Sequence, residues 1–232
     1  MTSEPRDVGV VIVAGGASER VGGGELKQLR WVAGKPMLLH SVQTFMAHPA
    51  VREVVVVLPR QYAGDPPPWI FQCDVDRLLV CHGGPTRQES VSNGLEDLSD
   101  EVSAVLIHDA ARPLVGLETI ERVIASVRLG LATIAALPVF DTLKRVGADG
   151  VVAETVSRDG LWRAQTPQGF PREMIVRAHR EARAARVNAT DDAALCERLG
   201  IPVHAVRGSE RALKVTEESD FERVDAAYAL PE

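Results

Sequence analysis

The residues with the clearest chemical potential lie in the stretch VGVVIVAGGASERVGGGELKQL, residues 8–29. Val8–Val13 is apolar and mostly β-branched, which is typical of a buried strand. The small residues that follow allow backbone N–H groups to approach an anion closely. Arg20 and Lys27 add two cations seven residues apart. This arrangement is suited to holding a triphosphate, although a solvated connection between a strand and a helix would show the same pattern.

The loop departs from both common phosphate-binding motifs. A Walker loop requires G-x-x-x-x-G-K-[ST], and no Lys follows the second Gly of such a spacing here. A dinucleotide-binding loop requires G-x-G-x-x-G, whereas Lys27 takes the third Gly position after Gly22 and Gly24. The loop therefore belongs to neither type.

A second candidate is the run HDAARP, residues 108–113, which follows a predicted strand at Ala104–Ile107. Ligands of open α/β sheets bind at the carboxyl ends of the strands. Asp109 is suited there to hold Mg²⁺ through oxygen, and Arg112 to bind a phosphate through two N–H groups. The alternative is an Asp that caps a turn and pairs with Arg112. His108 has no second His or Cys at metal-ligand spacing, which favours a structural role.

The third candidate is GGPTRQES, residues 83–90, which also follows the carboxyl end of a predicted strand. A Gly turn that opens a helix directs its N–H groups toward the sheet edge. Ser90 and the backbone of Gly83 and Gly84 are therefore candidates to read the edge of a base. An ordinary helix start is the alternative.

The elements that must position these residues follow from apolar periodicity. Strands are predicted at Val8–Val13, Val51–Leu58, Arg77–Cys81, Ala104–Ile107 and Ala132–Val139. Helices are predicted from Pro36, from Thr86 and over Leu117–Leu129, then over Arg172–Arg186 and Asp191–Leu199, with a late strand at Val203–Val206 and a terminal helix. Strands that alternate with helices are the signature of a three-layer α/β fold with a mostly parallel sheet.

The alternation changes at residues 140–163, which we call the arm. Residues 147–150, GADG, predict a hairpin turn between two strands of alternating polarity. We expect this hairpin to project from the sheet, where Leu143 and Leu161 would be exposed unless another surface covered them. The arm therefore predicts a homodimer in which the arms are exchanged.

Composition limits the classes of function. The 232 residues, 45% of them hydrophobic, suit a single domain over residues 1–232. A net charge of −6 argues against nucleic acid or an anionic membrane as a partner. The N-terminus has no apolar signal region, and no apolar run reaches the roughly 20 residues of a membrane span. Cys73, Cys81 and Cys196 form no C-x-x-C, which predicts reduced thiols in a cytoplasmic protein.

The candidate residues share one chemistry. No spacing indicates a Ser/His/Asp set, a Cys/His pair or the paired carboxylates of a hydrolase. Cations, glycine N–H groups and one strand-end Asp are instead suited to phosphoryl or nucleotidyl transfer, which depends on positioning and charge neutralisation.

With these residues assembled, the chain resembles the 2-C-methyl-D-erythritol 4-phosphate cytidylyltransferases over almost its whole length. The matching motifs are A-G-G-x-x-x-R with K-Q beyond it, G-G-x-x-R-x-x-S-V, H-D-A-A-R-P, D-T-x-K, T-V-x-R-x-G-L-W, T-P-Q, T-D-D-A and K-V-T. The resemblance implies a Rossmann-like nucleotidyltransferase fold with a dimerising β-arm. It also implies the transfer of a cytidine monophosphate group from cytidine triphosphate (CTP) to 2-C-methyl-D-erythritol 4-phosphate, with release of pyrophosphate, in non-mevalonate isoprenoid biosynthesis.

The resemblance further implies a role for each matching residue. Arg20 and Lys27 would be catalytic, by offsetting charge in the transition state. CTP would be bound by Ala14, Gly15, Gly16, Gly83, Gly84, Arg87, Ser90 and Asp109. Asp109 would also hold Mg²⁺ or another divalent cation. The methylerythritol phosphate would be bound by Arg112, Thr142, Arg158, Thr166 and Lys214, some of them across the dimer.

Three positions depart from the family pattern, and two other functions remain open. Leu26 stands where Pro is common, Phe140 where Arg is common and Ser157 where Asp is frequent. One alternative is a cytidylyltransferase for ribitol 5-phosphate or another polyol phosphate; Thr142 and Arg158 favour methylerythritol phosphate. The other is a non-catalytic nucleotide-binding module.

Overall fold

The computed structural model describes residues 5–14 and 26–230. The strands are β1 (Val8–Val13), β2 (Trp31–Val32), β3 (Lys35–Pro36), β4 (Val51–Leu58), β5 (Leu78–His82), β6 (Ala104–Asp109), β7 (Ala132–Pro138), β8 (Leu143–Val146), β9 (Val152–Val156), β10 (Trp162–Pro171) and β11 (Val203–Arg207). The helices are α1 (Met37–Ala47), α2 (Arg60–Ala63), α3 (Arg87–Glu96), α4 (Leu117–Arg128), α5 (Arg172–Ala184), α6 (Asp192–Arg198) and α7 (Ser219–Ala229).

Seven of the described strands form one sheet in the order β11-β7-β10-β6-β1-β4-β5. Neighbouring strands are parallel except for β10, which is antiparallel to both β6 and β7. The carboxyl ends of the parallel strands therefore meet at one edge, and β10 begins at that same edge. This confirms the predicted fold class, a three-layer α/β fold with a mostly parallel sheet.

The side chains of β1 show why its apolar run is continuous. Val10 and Ile12 pack on one face of the sheet with α1 and α4, while Val11 and Val13 pack on the other with α3, α5 and α6. A strand covered on both faces needs apolar residues at successive positions, because adjacent side chains point in opposite directions. The sheet thus has helices on both sides and a core in each layer.

The arm is a separate β-hairpin, in which β8 pairs antiparallel with β9. Its apolar side chains are open to solvent in the single chain: Val146, Val151 and Val152 are each more than half exposed. The hairpin prediction is confirmed. The expected boundary at residue 163 is shifted, since Trp162 and Arg163 already pair with β7 as part of β10.

Strand β10 is the main element that sequence periodicity misses. The stretch TPQG, residues 166–169, places Pro and Gly inside it, and both residues are depleted in strands. Gly169 is required by packing, because a Cβ there would overlap the side chains of Val123 and Val127 on α4. Smaller differences are the short strands β2 and β3, which are not predicted, α2 within the predicted loop after β4, and the extension of β6 to include Asp109.

Among the described residues, no helix combines the length and the apolar character needed to cross a membrane.

Candidate active site

Asp109, the last residue of β6, lies at the centre of the site. Its Oδ1 accepts a hydrogen bond from Arg87 Nε at 3.1 Å, and its Oδ2 accepts one from Lys214 Nζ at 2.8 Å. Burial alone would raise the pKa of this carboxyl group, but the charges of Arg87 and Lys214 outweigh burial and hold the pKa well below its ordinary range. Asp109 is therefore a carboxylate whose charge is balanced by cations from distant parts of the chain.

Arg87 is clamped between two carboxylates. Its Nη1 donates to Asp192 Oδ2 at 2.7 Å while its Nε donates to Asp109. Asp192 is 1% exposed, and its other oxygen lies 3.0 Å from His179 Nε2. Burial would raise the pKa of Asp192, but the charge of Arg87 and the hydrogen bond from His179 lower it. Asp192 belongs to the T-D-D-A motif, but that motif is also typical of a helix start, so its sequence alone does not indicate this role.

Thr166 reaches the site through an irregularity in β10. The pairing of β10 with β7 shifts register between Ala164 and Gln168, as in a β-bulge. Thr166 Oγ1 accepts the backbone N–H of Asp109 at 3.1 Å and lies 3.0 Å from His108 Nδ1. Burial lowers the pKa of His108 to about 4, so the imidazole is neutral at pH 7. Both ring nitrogens contact groups of the protein itself, so His108 is not presented to a metal as a ligand.

Lys27 contacts the segment that contains Lys214. Lys27 Nζ donates to the carbonyl oxygen of Val215 at 2.8 Å, and the N–H of Val215 donates to Ala111 O at 2.8 Å. Burial, and then the neighbouring charge of Lys214, lowers the pKa of Lys27. The K-V-T motif thus joins the last part of the chain to the strand-end run HDAARP.

Arg112 is held by backbone carbonyl groups. Its Nη1 donates to Ala212 O at 2.8 Å, and Nη2 contacts Ala164 O at 3.4 Å. Its Nε is buried and has no hydrogen-bond partner among the described residues. An unsatisfied buried donor of this kind is uncommon in proteins.

Five of the residues expected from the sequence converge on one cavity. The cavity, of about 140 Å³, is lined by Arg87, Asp109, Arg112, Thr166 and Lys214, together with Ala164, Gln165, Gln168, Thr190 and Asp191. A more open cleft of about 590 Å³ lies at the ends of β4 and β5, where Gly83 and Gly84 form part of its lining. Both concavities lie at the carboxyl ends of the strands, where ligands of α/β sheets bind.

The turn at Gly83 and Gly84 differs from the expectation. Gly83 N–H donates to Leu58 O at 2.7 Å, and Gly84 N–H donates to Ser90 Oγ at 3.1 Å. The fully buried Ser90 hydroxyl in turn donates to Thr86 O at 2.9 Å. The N–H groups that were expected to face the sheet edge are thus used within the protein, because β4 and α3 supply acceptors for them. The buried Ser90 side chain therefore stabilises the turn from the protein interior.

The other predicted residues that the structure describes do not line this cavity. Ala14 is buried at the end of β1, where its N–H donates to Val57 O at 2.9 Å. Thr142 and Arg158 are exposed on the arm. Gly15, Gly16 and Arg20 lie outside the described residues.

Leu26 retains the backbone shape that Pro would impose. Its φ angle is −62°, close to the value of about −65° at which a proline ring fixes the chain. Its side chain packs against the main core, so the residue adds apolar contact at the base of the loop. Phe140 is 64% exposed, and the Ser157 hydroxyl accepts the backbone N–H of Asp159 on the arm. Nothing in the single chain explains why these two positions depart from the family pattern.

Asp109 gives the cavity a carboxylate that could serve as one ligand of a divalent cation. No group of three or more His, Cys, Asp or Glu within the described ranges has metal-site geometry. Mg²⁺ commonly uses one or two carboxylates and fills its remaining positions with phosphate oxygens and water. Asp109 already accepts two hydrogen bonds, but a carboxylate offers about four lone-pair positions. A cation that arrives with a triphosphate would therefore find one ligand here.

A mostly parallel α/β sheet whose functional residues lie at the carboxyl ends of its strands is the architecture of many nucleotide-binding proteins. The family model for 2-C-methyl-D-erythritol 4-phosphate cytidylyltransferase matches residues 8–229. The protein of that name from Salinibacter ruber is 42% identical over 220 residues, which cover 94% of this chain and 92% of that protein. The crystal structure of the protein of that name from Thermus thermophilus is 31% identical with a TM-score of 0.80, covering 95% of this chain and 98% of that one. The chain belongs to the 2-C-methyl-D-erythritol 4-phosphate cytidylyltransferase family.

Some relatives are longer. A bifunctional enzyme IspD/IspF from Rhizobium etli is 42% identical over 240 residues, which cover the whole of this chain and 59% of that protein. In the corresponding protein of Desulfotalea psychrophila, the matched region covers 54% of the length. The chain therefore spans a little over half the length of the bifunctional relatives that it matches.

The clamp on Arg87 generates a prediction about stability. We expect Asp192→Asn to lower the free energy of unfolding at pH 7 by roughly 3 kcal/mol, because it leaves Arg87 with one carboxylate and removes the charge that faces His179. The measurement is urea unfolding of both proteins. Asp65→Asn, at an exposed carboxylate, is the matched control and should change stability by less than about 0.5 kcal/mol.

The same pair of proteins should differ in a pH-dependent way. The pKa of Asp192 is lowered in the folded state, so its stabilising effect is complete above the unfolded pKa of about 3.9 and declines as pH falls through the folded value. The difference between wild type and Asp192→Asn should therefore narrow below about pH 4. A difference that stays constant down to the lowest measurable pH would contradict the charge argument.

Proposed function

We propose that the protein transfers cytidine monophosphate from CTP to 2-C-methyl-D-erythritol 4-phosphate, giving 4-diphosphocytidyl-2-C-methyl-D-erythritol and pyrophosphate. In the step, a phosphate oxygen of the acceptor forms a bond to the α-phosphorus of CTP, and the bond from that phosphorus to the oxygen bridging to the β-phosphate breaks. The observation that carries the proposal is the convergence of Arg87, Arg112 and Lys214 around Asp109 at the carboxyl edge of the sheet. The identity of the two substrates is inferred from the family to which the chain belongs.

The chemistry explains why the cavity can work without a general base. The second pKa of a phosphate monoester is near 6, so the attacking group is mostly dianionic at pH 7. The barrier lies in bringing this dianion onto an α-phosphate that is itself anionic. Cations placed beforehand around the reacting groups lower that barrier.

The two lysines suit different parts of the reaction. Lys214 is 44% exposed and already bonded to an oxygen anion, so the acceptor phosphate can compete for it. Lys27 is buried, and its hydrogen-bonded partner among the described residues is the Val215 carbonyl. A phosphate oxygen would be a stronger acceptor for a charged amine. We therefore assign Lys27, with Arg20, to the triphosphate as charge develops on it.

A divalent cation completes this assignment. Asp109 would supply one oxygen ligand, and when bound the cation would polarise the phosphoryl oxygens as a Lewis acid. Arg87 would keep the carboxylate ionised and in place. Gly15, Gly16, Gly83 and Gly84 would contact the nucleotide, and the buried Ala14 and Ser90 would hold the backbone beside them.

The arm supports a homodimer as the active form. Its exposed valines form an apolar surface, and its Thr142 and Arg158 lie on the arm rather than in the cavity. If the arm packs on a second copy, these two residues can complete the partner's cavity. We also assign the protein to the cytoplasm, since its three thiols are free and such thiols persist in a reducing compartment.

The first test is a product assay with CTP, Mg²⁺ and either methylerythritol phosphate or ribitol 5-phosphate. We expect pyrophosphate release to prefer methylerythritol phosphate. Lys27→Met, which retains the apolar stem, should lower kcat by about 100-fold or more, as is typical for loss of one transition-state donor. Lys35→Met, at a surface lysine bonded to Gln43, is the control and should leave kcat unchanged.

Three outcomes would contradict the proposal. Preferential turnover of ribitol 5-phosphate would favour the sister activity. Binding of CTP without turnover of either acceptor would favour a nucleotide-binding module. An unchanged kcat in Lys27→Met would remove that residue from the catalytic step.

The arm generates a second prediction, which separates assembly from chemistry. Replacing both Val151 and Val152 with Asp should convert the dimer to monomers in sedimentation velocity, because charge would be buried in the arm interface. Leu129→Asp, at an exposed leucine after α4, should leave the dimer intact. A wild-type monomer would refute the assembly.

Mixed dimers then show whether the arm acts across the interface. Arg158→Ala and Lys27→Met should each be poorly active alone. After the two are unfolded and refolded together, a mixed dimer has one cavity with both Lys27 and the partner arm's Arg158 intact, so activity should return. No recovery would mean that Arg158 serves its own chain.

A further inference from the structure

His108 joins two residues of the proposed acceptor site. The ring is fully buried on β6, with the edge of Phe45 packed 4.9 Å away between ring centroids. Its Nε2 lies 3.1 Å from the carbonyl oxygen of Arg112, and its Nδ1 lies 3.0 Å from the hydroxyl oxygen of Thr166. Both Arg112 and Thr166 line the 140 Å³ cavity.

The partners of the ring fix which nitrogen carries hydrogen. Nε2 has two neighbours, the Arg112 carbonyl oxygen at 3.1 Å and the Ser41 hydroxyl oxygen at 3.4 Å. A carbonyl oxygen can only accept, so the shorter contact requires a hydrogen on Nε2, and the Ser41 oxygen can accept from the same N–H. The described residues place no carboxylate within hydrogen-bond distance of the ring, and complete burial disfavours its charged form. A neutral imidazole carries one N–H, so Nδ1 is an acceptor. The hydrogen between His108 and Thr166 must therefore come from the Thr166 hydroxyl.

Thr166 can therefore form only one kind of hydrogen bond with a ligand. A hydroxyl group has one hydrogen and two lone pairs. The hydrogen is donated to His108, and one lone pair accepts the N–H of Asp109 at 3.1 Å. What remains for a ligand is a single lone pair, which can accept but cannot donate.

We propose that His108 is a positioning residue that makes Thr166 a pure acceptor, so that Thr166 selects a hydroxyl group of the polyol phosphate and disfavours its phosphate. The inference deepens the proposed function and rests on it for the identity of the ligand. A phosphate oxygen near Thr166 would meet a lone pair and gain no hydrogen bond, whereas an alcohol would donate one. The phosphate is then left to Arg112 and Lys214, and the substrate has one orientation in the cavity.

The first test observes the ring directly in the wild-type protein without substrate. With ¹⁵N-labelled histidine, NMR distinguishes a protonated from an unprotonated ring nitrogen. We expect His108 at pH 7 to carry hydrogen on Nε2 only; assignment uses His108→Asn. Hydrogen on Nδ1 would overturn the inference. This result does not depend on turnover, so it stands apart from a failure of the proposed function, which would appear as no product with wild type.

The second test measures KM for the acceptor and for CTP separately. Thr166→Ser keeps the hydroxyl and should hold the acceptor KM within about twofold. Thr166→Val should raise it roughly tenfold, the effect of one lost hydrogen bond, with a smaller effect on the KM for CTP. Acceptor analogues that each lack one hydroxyl identify which hydroxyl donates to Thr166. For the analogue that lacks this hydroxyl, Thr166→Val should cause no further rise in KM. Equal losses with every analogue would overturn the inference.

The third test separates positioning from simple support of the fold. His108→Asn can present an oxygen toward Thr166 and so keep its polarity, whereas His108→Leu removes the acceptor. We expect His108→Leu to raise the acceptor KM by about five- to tenfold, and His108→Asn to recover most of that loss. Comparable losses of kcat and of both KM values in the two variants would indicate a structural role alone.

Discussion

The ionised carboxylate of Asp109, buried at the end of a central strand, is the interaction on which the site depends. Burying one unpaired carboxylate costs several kcal/mol, so its charge must be matched within hydrogen-bond distance. Arg87 and Lys214 provide the match, and they come from α3 and from the segment before the last helix. The site can therefore exist only when elements more than a hundred residues apart in sequence are in place.

The partners of Asp109 are held to different degrees, and this divides their roles. Arg87 is fixed by a second carboxylate, Asp192, which is itself bonded to His179 and 1% exposed. Lys214 has solvent on one side and a single carboxylate partner in this network. An arriving phosphate can draw Lys214 away while Arg87 keeps Asp109 ionised. The arrangement thus combines a rigid charge with an exchangeable one, as a site needs when it must bind an anion without losing its own shape.

The sequence predicts those features that depend on local periodicity and strand position. The apolar runs of β1 and β4 and the position of α4 follow from neighbours in sequence. Asp109, Arg112, Thr166 and Lys214 converge as the family motifs imply. The position of β10 does not follow, because its Pro and Gly argue against a strand and its pairing partners are distant. The contacts of Asp192 with Arg87 and of His108 with Thr166 cannot be predicted from local sequence either, because only the folded chain brings these partners together.

Hydrogen-bond polarity gives this cavity a selectivity that its size alone cannot. The cavity is small, and cations form much of its wall, so an anionic group would be attracted to several places within it. The carbonyl of Arg112 accepts the N–H of His108 Nε2, which leaves Nδ1 as an acceptor for the Thr166 hydroxyl. Thr166 also accepts the N–H of Asp109, so it can offer a ligand only a lone pair. One backbone carbonyl thus determines, through two side chains, that this part of the wall does not bind phosphate oxygen. Charge draws the substrate in, and the direction of three hydrogen bonds decides which end faces the reacting phosphorus.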